Sequence, residues 1–550
     1  MGLFRAGRLA DAERFFAEAR QLEPRNFDAH YLSGVILLQT GRILEAAELL
    51  RRAVELNPRA GFAHFDLGCA LSVLGRHEQA LMSYENAIAL KPDHADAHVN
   101  RGNALSELNR NDEALVSHDR AIALKPDHAD AYCSRGVVLN ALARHAEALA
   151  SHEKALALRP DHASAHNNRA VVLYELKRYA EALAGAERAI VLSPAYAEAH
   201  LNRGNALKEL SRHEEALASY DKALALNPKD SVHHNRSLLL LLLGRFEEGL
   251  REYEFRKRGL IQQRFLAFPE RLWLGEQSIA GKTLLIYQDF LIGDVLQFCR
   301  YAKLAEAKGA RVILLVQSSL HRLLQQLSPT LELISEDAPL PQFDYHCPLM
   351  SLPLAFKTTV DTIFAPVPYL HAEEERVLKW RKKLGSAGFK IGICWEGSKL
   401  AYAASLERSC DLPEFFAIAK IPNVRLISLQ KTGGFEQRFD LPAGMQMETL
   451  GDEFDSGPDA FLDCAAVMES LDLVISVDTS IAHLAGALAR PTWVALKYIP
   501  DWRWLLNRND SPWYPTMRLF RQTGAGDWTS AFVQMEKELI PMAEEKTKTV

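Results

Sequence analysis

NDEALVSHDRAIALKPDHADAYCSRGVVLN, residues 111–140, is the stretch that decides the fold. Its landmarks are Ala114, Pro126 and Gly136, and each returns at a fixed interval. Pro24, Pro58, Pro92, Pro126, Pro160, Pro194 and Pro228 are spaced by 34 residues throughout. An alanine stands twelve residues before each proline, as Ala12, Ala46, Ala80, Ala114, Ala148, Ala182 and Ala216. A small residue stands ten after most of them: Gly34, Gly68, Gly102, Gly136, Ala170 and Gly204. Small residues let the two helices of a hairpin approach closely. Proline ends the second helix because its ring clashes with the preceding turn. Each hairpin then buries its apolar face only by stacking on the next. The array covers residues 1–250, with Met1–Gly7 reading as the end of an incomplete first unit. After Pro228 the spacing slips by one residue, in KDSVHHNRS.

One position says more than the framework. Eight residues after the prolines lie Asp66, Asn100, Ser134, Asn168 and Asn202, with Asn235 equivalent after the slip. A short polar side chain thus recurs at one point of successive first helices. An asparagine amide carries both donor and acceptor, so a column of them can hold a peptide main chain without reading its sequence. The plainer alternative is a solvated polar face. The period and the small positions resemble the tetratricopeptide-repeat (TPR) family. That resemblance implies a superhelix whose concave surface is lined by the first helices, and a protein or peptide partner. The polar column is similar to the asparagine ladder of the O-GlcNAc transferases. His94/His98 and His162/His166 have a spacing that metal sites use, but they fall in repeat turns without a third ligand, so no metal is expected.

With 550 residues the chain is too long for one core. A net charge of −6 argues against nucleic acid or an anionic membrane as main partner. Seven scattered cysteines without a C-x-x-C pair read as reduced, mostly buried thiols of a cytoplasmic protein. No uncharged apolar run approaches the ~18 residues of a membrane span.

From about residue 281 the texture changes. Short apolar runs alternate with amphipathic stretches: KTLLIYQDF, ARVILLVQ, LELISE, FKIGICWEG, VRLISLQK, LDLVISVDT and PTWVALKY. Such alternation means parallel sheets with helices on both faces. A break near 371–388 reads as a helix and linker joining two doubly wound lobes, with ligands expected beyond the carboxyl ends of strands. Three segments carry chemistry. In LLIYQDFLIGDVLQFCRY (284–301), Gly293 and Asp294 open a helix after a strand, and Asp294 is placed to project into a cleft. N-capping would explain Asp294 equally. In LDLVISVDTSIAHLAGAL (471–488), a buried strand delivers Asp478, and Thr479 and Ser480 open a helix with His483 one turn in. Free N–H groups and two hydroxyls there suit a diphosphate. The third segment, 498–522, is dense in aromatic, arginine and proline residues and reads as a rigid loop.

These segments, with FDYHCPLMSLPLAF (343–356), IGICWEGS (391–398) and ERS (407–409), resemble the heptosyltransferase-like glycosyltransferases, in the bacterial subset with N-terminal TPRs. The resemblance implies a multidomain chain: an all-α TPR solenoid (1–250), a linker (251–280), and an α/β GT-B domain of two Rossmann-like lobes (281–375, acceptor side; 385–525, nucleotide-sugar side), then a C-terminal helix and tail (526–550). It implies an enzyme that inverts and needs neither metal nor cofactor, the nucleotide-sugar being a substrate. Asp294 would match the catalytic base. Gly293, Lys431, Asp478, Thr479, Ser480 and His483 would bind donor, and Arg408 and Ser409 would sit at the cleft. A protein acceptor held by the solenoid is expected, with a cell-envelope glycan or a degenerate, non-catalytic scaffold as alternatives. Two stretches depart from the family. D-F-L-I-G-D stands where E-Q-G-L-G-D is usual, so Leu291 replaces a glycine. KLAYAASLERS (399–409) lacks the usual Asn- and His-rich stretch.

Overall fold

The computed structural model describes residues 9–256, 265, 267–397, 408–431 and 433–549. Met1–Gly7 and most of KLAYAASLERS, residues 399–407, lie outside this set. The chain divides into two compact units, Met1–Pro228 and Lys229–Val550.

Among the described residues the first unit is a run of thirteen helices: α1 (Leu9–Leu22), α2 (Phe27–Gln39), α3 (Ile43–Leu56), α4 (Gly61–Val73), α5 (His77–Leu90), α6 (Ala95–Glu107), α7 (Asn111–Leu124), α8 (Ala129–Ala141), α9 (His145–Leu158), α10 (Ala163–Glu175), α11 (Tyr179–Leu192), α12 (Ala197–Glu209) and α13 (His213–Leu226). The residue before each proline is pushed out of the helical region, as at Lys91 (ψ 85°), Lys125 (ψ 88°) and Arg159 (ψ 90°). The seven periodic alanines are all at most 2% exposed.

The small positions are small because each faces a large side chain of the second helix. A Cβ on Gly34 would lie 2.7 Å from Leu50 Cγ, and one on Gly68, Gly102 or Gly136 would lie 2.5 Å from the Tyr84, His118 or His152 ring. Gly204 faces Tyr220 in the same way, at 2.6 Å. The exception explains itself. Where the first helix carries Ala170, the second carries Ala186 in place of the ring, and a Cβ on the neighbouring Gly185 would lie 3.1 Å from the Ala170 methyl group.

The second unit begins with a helical hairpin, α14 (Asp230–Leu242) and α15 (Phe246–Tyr253). Two parallel sheets follow. The first holds β1 (Thr283–Tyr287), β2 (Arg311–Leu315), β3 (Glu332–Ile334) and β4 (Tyr345–Pro348) in the order β3-β2-β1-β4. The second holds β5 (Phe389–Cys394), β6 (Val424–Ser428), β7 (Leu473–Val477), β8 (Thr492–Leu496) and β9 (Met517–Arg521) in the order β6-β5-β7-β8-β9. Every pairing within both sheets is parallel. The helices that matter below are α16 (Ile292–Phe298), α17 (Tyr301–Ala307), α18 (Glu374–Leu384), α19 (Leu462–Met468), α20 (Ser480–Ala487) and α21 (Trp528–Thr549).

Three expectations need correction. The hairpin at 230–253 belongs with the second unit, because Phe246 and Tyr253 pack on Trp502 at 5.8 and 6.2 Å between ring centres. The described part of the expected linker is packed against the first sheet. Trp273 is 2% exposed and donates its backbone N–H to the His346 carbonyl at 2.9 Å. The expected rigid loop at 498–522 ends in strand β9, where Met517, Leu519 and Phe520 are buried and Arg518 points out.

Candidate functional site

The strand order reverses beside β1 in the first sheet and between β5 and β7 in the second. Ligands in open parallel sheets bind beyond the carboxyl ends of strands at such points. The two chemistry-bearing segments follow β1 and β7 and meet there. A Cβ on Gly293 would lie 3.2 Å from the His483 ring and 3.8 Å from the Ser480 nitrogen, so the start of α16 rests on the start of α20.

Asp294 sits at the centre of the contact. Its carboxylate is 8% exposed as a residue and fully engaged. One oxygen accepts the Leu291 backbone N–H at 2.9 Å, closing the first turn of α16, and the other is ion-paired with Arg503. Burial pushes the Asp294 carboxyl up, and the Arg503 charge opposes it. Arg503 also donates to Asp501 at 2.7 Å. Asp294 is thus the third residue of α16 and not its N-cap, which is Leu291; its side chain reaches back to the Leu291 N–H.

His483 is 5% exposed and is held well below its ordinary titration range, first by burial and then by Arg503, Arg300 and Arg408. It is stacked on Trp504 at 5.5 Å, and its Nδ1 is 3.0 Å from the Tyr514 hydroxyl. Its Nε2 lies 4.0 Å from Asp478, beyond hydrogen-bond reach. Burial and then the Asp501 charge raise the Asp478 carboxyl, against Arg408 and Arg503. Arg408 thus acts on this cluster, close behind Gly397, whose N–H is accepted by Ser409 at 3.1 Å.

Thr479 and Lys431 are both engaged within the chain. Thr479 turns its hydroxyl inward, 2.9 Å from Ser476 Oγ, so Ser480 alone offers a hydroxyl at the α20 mouth. Lys431 is exposed and donates to the Asp455 carbonyl. Arg503, Trp504 and Tyr514 were missed as site residues. Their signal was present in the dense 498–522 segment, but nothing in one sequence tells which aromatic or arginine turns toward a distant helix start.

In the solenoid the polar column is laterally bonded. The Tyr31 hydroxyl donates to Asp66 at 2.9 Å, Asn100 donates to Cys69 at 3.5 Å, Asn168 to Cys133 at 3.6 Å and Asn202 to Asn167 at 2.8 Å. Each bond joins consecutive first helices. Every member of the column, Ser134 and Asn235 included, is partly exposed. The paired histidines serve the turns: His98 and His166 reach the Pro92 and Pro160 carbonyls at 3.1 and 3.0 Å. All seven cysteines are free and six are buried. Among the described residues no helix is long and apolar enough to cross a membrane.

Sequence models of the tetratricopeptide repeat match residues 1–60, 73–109, 102–142, 133–197 and 197–230. The N-terminal region is a TPR solenoid, an architecture that binds other proteins. Protein FlbA of Caulobacter vibrioides is 28% identical over 323 residues. The match covers 53% of this chain and 52% of FlbA, so the chain spans about half the length of that relative. The chain is also similar to parts of solved structures. The hetero-tetramer Cut9–Hcn1 of APC/C shows 19% identity over 43% of this chain and 46% of that one, with a TM-score of 0.39. PilF of Pseudomonas aeruginosa shows 24% over 38% and 95%, at 0.34. A tetratricopeptide repeat protein of Parabacteroides merdae shows 19% over 44% and 95%, at 0.39.

Proposed function

We propose that this chain transfers a sugar from a nucleotide-sugar to a protein or peptide held by its solenoid, with inversion. The observation that carries the reading is the meeting of two helix starts, each after a parallel strand, around Asp294. In this mechanism Asp294 takes the proton of an acceptor hydroxyl. That oxygen forms the new bond to the anomeric carbon as the bond to the donor phosphate breaks, and the nucleoside diphosphate leaves with the electron pair. The N–H groups at the start of α20, with Arg408, are suited to the charge that develops there. A buried carboxyl with a raised pKa is a better base than an exposed one, but Asp294 must first exchange Arg503 for the acceptor. A donor diphosphate is the natural competitor for that guanidinium.

Purified chain, radiolabelled nucleotide sugars and cell lysate test the proposal. Label should enter a protein band, and Asp294→Asn should abolish it. Label entering only envelope glycan would move the acceptor class. No transfer and no hydrolysis with any donor, and an Asp294→Asn variant indistinguishable from the parent, would end the transferase reading.

A second reading is a protein-binding scaffold with a degenerate transferase unit. Its support is Leu291, 37% exposed at the start of α16 where the resembling family carries glycine, together with the Arg503 ion pair that occupies Asp294. Thermal shift with UDP, GDP and ADP separates the two. A binder gains ~2.7 kcal/mol of stability at 100 times its dissociation constant, a scaffold none.

A further inference from the structure

The first-helix face of the solenoid changes character along its length. Phe27 and Tyr31, one turn apart on α2, stack at 5.8 Å. Phe62 of α4 meets both edge-on, at 6.0 and 4.8 Å. This ring is 51% exposed. It stands four residues after its proline, where the other hairpins carry Asp28, Asp96, Asp130, Ser164 and Glu198. Phe62 therefore interrupts a largely acidic row with an aromatic ring. Asp66, one turn further along the same helix, accepts the Tyr31 hydroxyl at 2.9 Å and joins the aromatic group to the polar column. Asp28 is exposed beside it, and the Asp96 side chain is 62% exposed although it meets His128 at 2.9 Å. Arg25 and Arg59, the cations nearest in sequence, lie in the turns before the helices, and further along the row Asp130 is ion-paired with Arg159.

An exposed aromatic group bordered by carboxylates marks a binding surface of definite chemistry. The rings offer apolar contact and a cation-attracting face, and the carboxylates select positive charge. We infer that the solenoid grips its partner here, and that the partner presents an apolar side chain flanked by lysine or arginine, its main chain running on along the polar column. This rests on the solenoid's role as the holder of a protein acceptor.

The test uses the full chain and three fluorescein-labelled nonapeptides in an anisotropy titration. One has a central leucine among lysines, one the same leucine among glutamates, and one a central serine among lysines. The lysine–leucine peptide should bind at least about tenfold more tightly than either of the others. Phe62→Asp, which restores the acidic row at a helix start that tolerates it, should remove that advantage. Phe62→Tyr should keep it, and Asp28→Asn with Asp96→Asn should flatten the salt dependence. Absence of binding by the lysine–leucine peptide, equal binding of the glutamate peptide, or an unaffected Phe62→Asp variant would overturn the inference. Sugar transfer is measured on the same preparations. Transfer that persists without peptide binding removes the docking inference alone. Phe62-dependent binding without any transfer removes the transferase reading and leaves the docking surface standing.

Discussion

At the residue scale, the paired glycines and rings of the solenoid make a sharp prediction. Gly136→Ala would set a methyl group 2.5 Å from the fully buried His152 ring. Overpacking of this kind costs about 1–3 kcal/mol, read as a lowered urea midpoint. Adding His152→Ala imitates the natural Ala170 and Ala186 pair and should recover part of the loss, a coupling that a double-mutant cycle measures. His118 and His152 also tie stability to pH. Neither ring nitrogen of either residue has a hydrogen-bond partner, and burial lowers both from 6.5 to about 4. The unfolded chain takes up their protons first as pH falls. Their contribution is complete above about 6.5 and drains away toward pH 4. His118→Tyr, copying Tyr84 and Tyr220, should shift the acid midpoint of the solenoid downward. In the second unit, Arg503→Leu strips Asp294 of its cation. The expected cost is ~3–5 kcal/mol in chemical denaturation, largely relieved by combining it with Asp294→Asn.

At the element scale, the short helix α16 carries the question of ligand access. Leu291 precedes it in an extended conformation, φ −82° and ψ 164°, that any residue adopts. Its backbone therefore does not need glycine, and Leu291→Gly should leave the unit folded at a loss of ~0.5–1 kcal/mol. If the side chain obstructs the helix mouth, that variant gains thermal stabilisation by a nucleotide that the parent lacks. An unchanged, flat response would show that Leu291 is not the obstacle. The elements also show what was legible beforehand. The solenoid was, because its period is written in prolines and glycines. Seven of the nine strands were, because buried parallel strands are continuous apolar runs. Strands β4 and β9 were not. Tyr345–Pro348 is four residues long and ends in proline, and Met517–Arg521 lies at a sheet edge where arginines break the apolar run. The convergence of Gly293 with Ser480 and His483 was suggested only by analogy, because contacts between residues nearly 190 apart leave no local pattern. The buried orientation of Thr479 and the Arg503 partner of Asp294 are likewise products of packing.

At the scale of the whole molecule, the boundary at Pro228 makes the hairpin α14–α15 the foundation of the second unit. Phe246 and Tyr253 close over Trp502, and just beyond them Arg256 is buried against Asp289 at 2.6 Å, with Glu254 and Ser351 around it. A fragment 229–550 should unfold cooperatively. A fragment 254–550 keeps the sheets but exposes Trp502 and loses the ring packing, and should be aggregated or lack a fixed near-ultraviolet signal. Comparing the solubility and circular dichroism of the two fragments decides it. If both behave alike, the hairpin is an ordinary last repeat.

The near-identical turns PDHADAH, PDHADAY and PDHASAH recur every 34 codons upstream of that boundary. Misaligned recombination at such a gene deletes or duplicates whole hairpins in frame. Each product keeps the 34-residue period, and its last hairpin is still the one that the α/β unit keeps as its own. The length of the array can therefore change by whole hairpins while the chain from Lys229 onward keeps its sequence.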